Sequence, residues 1–140
     1  MKAVLALRVA SILTFVHAVL HTVGGVFGRI PPGPATVAAE AMKANSFVAL
    51  GVTRTFWQYY RGMGLAVSIF LFAASIVTWQ LGSLARNSTE IRPILATFVA
   101  GWLAMAVNSY FYFFAAPVIV EILLAVCFLW AIAATQPATA

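Results

Sequence analysis

Residues 3–27 form a run long enough to cross the hydrocarbon of a bilayer, and that run carries two imidazoles, His17 and His21. A helix rises about 1.5 Å per residue, so roughly 20 apolar residues span a membrane interior. In such a setting a titratable side chain is expensive unless something uses or satisfies it. A spacing of four puts both histidines on one helical face, about one turn apart. Lys2 and Arg8 make the start of the run basic, as in a signal peptide. The run is longer than the apolar region of such a peptide, however, and no small-x-small cleavage site follows it directly. It therefore reads as a retained span.

Three comparable runs follow. Gly28, Pro31, Pro32, Gly33 and Pro34 break the first helix. Residues 35–44 then read as a short interfacial helix bearing Glu40 and Lys43. Trp57, Tyr59 and Tyr60 have the character of an aromatic belt at the entrance to the second span. A polar loop over residues 84–92 leads to Pro93, which suits the first turn of a third helix. Ala115-Ala116-Pro117 then opens a fourth. The spans fall near residues 4–27, 56–82, 94–114 and 118–134. Of the 140 residues, 64% are hydrophobic and only 8% charged, against about a quarter charged in soluble domains. The expected fold is all-α, an integral membrane four-helix bundle in a single transmembrane domain over residues 1–140.

The net charge of +5 comes from basic residues scattered singly. No basic run or recognition motif points to nucleic acid. Such residues mark span ends and the cytosolic leaflet instead. Four spans put both termini on one side, with Lys2, Arg8, Arg86 and Arg92; Arg29, Lys43, Arg54 and Arg61 belong to the other. The short loops near span ends weigh most, which places the termini in the cytoplasm. Cys127 is the only cysteine. It can form no intramolecular disulfide and reads as a small apolar residue.

Depth along the helices groups the polar residues. His21 lies roughly 9 Å from the far end of span one and His17 about 15 Å. Arg61 lies about 8–10 Å into span two, Asn108 about 9 Å from the end of span three, and Glu121 about 6 Å into span four. All fall in one half of the bilayer. Small-residue stripes, Arg61, Gly64, Ser68 and Ser75 on span two and Thr97, Gly101, Ala104, Asn108 and Tyr112 on span three, would turn them inward. Each residue also has a plainer reading. The histidines can be core groups bonded to hydroxyls or carbonyls. Glu121 can snorkel, Arg61 can anchor in headgroups, and Asn108 can simply tie helices together.

Leu7-Arg8-Val9-Ala10, His21-Thr22-Val23-Gly24-Gly25 and Phe56-Trp57-Gln58-Tyr59-Tyr60-Arg61-Gly62-Met63-Gly64-Leu65 resemble stretches of small four-span bacterial membrane proteins of unknown function. In outline the chain is also similar to the DoxX-like four-helix proteins. The resemblance covers about the first 80 residues. It implies a four-helix fold and a bacterial inner membrane, and it carries over no activity and no catalytic residue.

Three functional expectations follow. The first is a membrane enzyme acting on a lipophilic small molecule by acid–base chemistry: isomerisation, epoxide opening or cyclisation. His17 or His21 is the base and Glu121 the acid or orienting carboxylate. Arg61 and Asn108 hold developing negative charge, with Trp57, Gln58 and Tyr112 lining the substrate. This expectation needs no cofactor. The second is an accessory subunit with haem, a metal or a quinone at His17 and His21; no Glu follows His17, so the zinc-protease motif is absent. The third is a structural or transport protein. The expected partners are the lipid bilayer, a lipophilic ligand and, as an alternative, further copies of the chain.

Overall fold

The computed structural model describes residues 1–85 and 89–135. Expectations for Arg86, Asn87, Ser88 and the tail beyond Thr135 lie outside the described residues. The chain is mostly helical, at 80%, and four of its helices are long and apolar enough to cross a membrane. Helix α1 covers Lys2–Leu20 and continues as a π-helical segment, His21–Val26. Helix α2 covers Pro34–Ala44. Strands β1 (Ser46–Ala49) and β2 (Val52–Thr55) form an antiparallel hairpin. Helices α3 (Phe56–Leu84), α4 (Arg92–Tyr112) and α5 (Ala115–Ala134) complete the order. Contacts divide the chain into two compact units, Met1–His17 with Leu71–Ala140, and Ala18–Phe70.

In the first unit, α1 buries Ala3, Ala6, Leu7, Ala10, Ser11 and Thr14. That is a stripe at helical spacing. The Ser11 hydroxyl donates to the Ser75 carbonyl at 2.7 Å, and Phe15 meets Phe72 edge-on. Thr14 and Thr78 return their hydroxyls to carbonyls four residues back. This satisfies them without water. The Arg8 guanidinium lies 3.5 Å from the centroid of the Trp79 ring and donates to the Ser83 hydroxyl. Helices α4 and α5 stack Phe98 on Phe128 at 4.9 Å. Arg92, at the start of α4, donates to both the hydroxyl and the carbonyl of Thr135. A cation there offsets the partial negative charge at the end of α5.

In the second unit, the hairpin is the departure from an all-α chain. Ser46 pairs with Thr55 and Ala49 with Val52, leaving Leu50 and Gly51 as the turn. Both have positive φ, 50° and 78°. This is the pattern of the mirror-image turns that match strand twist. Glycine adopts that conformation freely, whereas leucine does so at a cost of about 1–2 kcal/mol. Leu50 is fully exposed, so no packing compensates. Leu50→Asn is expected to stabilise the hairpin by about 0.5–1 kcal/mol. Slower amide exchange across the two strands is the readout, and unchanged exchange would count against the turn geometry.

Thr55 also caps α3. Its hydroxyl accepts from the Gln58 N–H at 3.1 Å, while Gln58 Oε1 accepts from the Thr55 N–H at 2.9 Å. The two residues form a reciprocal capping box. Phe47 packs on Phe56 and Tyr59, which fixes the hairpin to the first turn of the helix.

Candidate functional site

Helix α5 buries Glu121, Leu124, Ala125, Phe128 and Ala131. The spacing places the carboxylate on the same stripe as the core, so it cannot point elsewhere while α5 packs. Glu121 is 1% exposed. Its Oε1 accepts from the Ser109 hydroxyl of α4 at 3.0 Å. Its Oε2 is buried with no partner among the described residues, as is Trp102 Nε1 on α4. A buried acceptor left unpaired carries a desolvation cost of about 1–3 kcal/mol. His17 is half-buried on the last turn of the α-helical part of α1.

Helix α4 presents the face opposite to the one expected. Its buried residues are Leu95, Trp102, Ala106 and Ser109. Thr97, Gly101, Ala104, Asn108 and Tyr112 are all exposed. Asn108 thus lies on the exposed face, and Ser109 is the residue that meets the carboxylate. Tyr112 is 78% exposed and belongs to an exposed aromatic cluster from Tyr110 to Phe114. The physical reason is that smallness marks where another backbone can come close, without saying whose. The spacing of Leu95, Trp102 and Ala106 is the sequence signal that leads to Ser109.

In the second unit, His21 opens the π-helical segment. Its Nε2 lies 3.1 Å from the Gly64 carbonyl. A carbonyl can only accept, so Nε2 is the N–H donor and Nδ1 of the neutral ring keeps its lone pair. A Cβ on Gly25 would stand 3.5 Å from Nδ1, at ordinary van der Waals distance. Arg61 is half-buried, with its guanidinium carbon 4.6 Å from the centroid of the Phe27 ring. Gln58 Oε1 serves the capping box, and the residue also lines an open depression at the start of α3. Trp57 stacks on Tyr60 and lies beneath the Lys43 ammonium, itself paired to Glu40 at 2.7 Å.

Each unit also carries an open depression. One, of about 670 Å³, is lined by Arg54, Gln58, Tyr59, Gly62 and Met63. The other, of about 300 Å³, is apolar and lined by Ser11, Ile12, Phe15, Ser75, Ile76 and Trp79. Among the described residues, no group of three or more His, Cys, Asp and Glu side chains is arranged to hold a metal ion. The chain matches no protein-family model, no curated protein and no solved structure. Any functional reading therefore rests on the residues themselves.

Proposed function

We propose that the chain is a four-helix membrane bundle that performs acid–base chemistry on a lipophilic small molecule, with Glu121 as the working group. The observation that carries this reading is the unpaired, buried Oε2 beside a Ser109 that fixes the other oxygen. One oxygen is held and its twin is left to give or take a proton. In a proton-shifting isomerisation or a cyclisation, Oε2 delivers a proton to one carbon and recovers one from another. In an epoxide opening, it protonates the ring oxygen as the carbon–oxygen bond breaks, water attacks the carbon, and the proton that the water loses returns to the carboxylate. The bacterial inner membrane and cytoplasmic termini belong to the same proposal; Lys2, Arg8 and Arg92 near span ends support that orientation.

The test needs no prior substrate. Proteoliposomes holding the wild type or Glu121→Gln are given lipophilic extracts and a panel of terpenes, epoxides and sterols, in deuterium oxide or ¹⁸O-water. The expected result is a product carrying solvent deuterium or ¹⁸O that forms with the wild type and falls at least a hundredfold with the variant. Identical product profiles would defeat the reading. The structural alternative draws on the same hydrogen bond, which ties α4 to α5; on that view Glu121→Gln changes stability and no product.

A further inference from the structure

The depression at the start of α3 is graded in chemistry along the helix. Arg54 stands on β2, just ahead of the first turn; Gln58 and Tyr59 lie on that turn; Gly62 and Met63 lie one turn deeper. The sequence thus passes from a cation, through a phenol, to a notch and a thioether, over roughly 10 Å of helix axis. We propose that this depression binds an anionic phospholipid, with its phosphate on the Arg54 guanidinium and the Tyr59 hydroxyl and its glycerol and first methylenes beside Gly62 and Met63.

Three observations support the assignment. Arg54 makes one hydrogen bond, from Nη1 to the neighbouring Thr53 carbonyl, and pairs with no carboxylate among the described residues. The rest of its planar fork is available for the two-point contact that suits phosphate. The second unit also contains Arg29, Lys43, Arg54 and Arg61 but only one acid, Glu40, which Lys43 already neutralises. Its uncompensated charge is therefore positive, complementary to an anionic head. Finally, a Cβ on Gly62 would meet nothing within 4 Å. Internal packing therefore leaves the space beside Gly62 unfilled, with room for a ligand. The aromatic rings of Phe56, Tyr59 and Tyr60 are exposed around this level, the character of a headgroup boundary. This inference is independent of the chemistry assigned to Glu121.

The test is lipid retention by the full chain, measured by native mass spectrometry after equilibration with equimolar phosphatidylglycerol and phosphatidylcholine. The wild type is expected to retain one phosphatidylglycerol with a preference of about tenfold. Arg54→Gln should reduce that preference to below twofold, and Arg54→Lys should keep part of it as a point charge. Gly62→Leu fills the notch while leaving the cation in place, and should lose retention of phosphatidylglycerol with the helix content unchanged. The proposal is overturned if the wild type binds both lipids equally, or if Arg54→Gln keeps the preference. It is equally overturned if millimolar glycerol phosphate displaces the lipid, since the site would then serve a soluble phosphate.

Discussion

Glu121→Leu is expected to make the protein more stable, by about 1–2 kcal/mol, while removing the chemistry assigned to it. Leucine fills nearly the same volume on the α5 stripe beside Leu124 and Ala125. The exchange deletes the unpaired Oε2, whose burial costs about 1–3 kcal/mol. It also deletes the Ser109 hydrogen bond, and such bonds are worth about 0.6 kcal/mol on average inside membranes. Ser109 does not become an orphan, because a helical serine can return its hydroxyl to a carbonyl of the preceding turn. The balance favours leucine. Ser109→Ala acts in the opposite direction: it leaves both carboxylate oxygens unpaired and should destabilise by about 1–3 kcal/mol. Unfolding in mixed micelles measures both variants. A chain that keeps a carboxylate at a net loss of stability keeps it for function. If Glu121→Leu instead destabilises by more than about 2 kcal/mol, the carboxylate is part of the helix packing.

The distance between the sequence reading and the structure has physical causes at particular residues. The helices were legible because length and apolarity decide them, and Pro93 marked the start of α4 directly. Glu121 was legible as the one acidic side chain on its span. Its partner was not, because lipid is as apolar as a helix core and the inward face of a spanning helix bears no polar–apolar contrast. The small stripe of α4 looked like an inner face, yet Leu95 and Trp102 take that place. On α3 the same kind of stripe does lie inward, with Ser68 and Ser75 buried. The hairpin was hidden for another reason. Phe47, Val48 and Val52 lie in a short apolar stretch just ahead of the second span, with Gly51 as the one glycine to suggest a turn. Gln58 has a local partner that its spacing also encodes: Thr55, three residues before it, closes a capping box with it.

Adding a single methyl group to the glycines around His21 should separate the positions that hold the site from those that do not. A Cβ on Gly64 would stand 2.9 Å from Val26 Cγ2, closer than side chains tolerate, and valine has little freedom at χ1 to move away. Gly64→Ala is expected to cost about 1–3 kcal/mol as overpacking. It should also disturb the hydrogen bond from His21 Nε2 to the Gly64 carbonyl, seen as a change in the imidazole ¹⁵N shifts. Removing the opposing methyls with Val26→Ala should recover most of both losses, an outcome that a general weakening of α3 would not produce. A Cβ on Gly28 would strike the Gly24 carbonyl oxygen, which is backbone and cannot rotate aside. Gly28→Ala should therefore unwind the end of the π-helical segment, with an effect larger than that of Gly64→Ala and no side-chain rescue. Gly101→Ala is the control: a Cβ there meets nothing within 4 Å, and the gain in helix propensity should stabilise α4 by up to about 1 kcal/mol. Equal costs at Gly64 and Gly101 would mean that close approach of Val26 plays no part in placing His21.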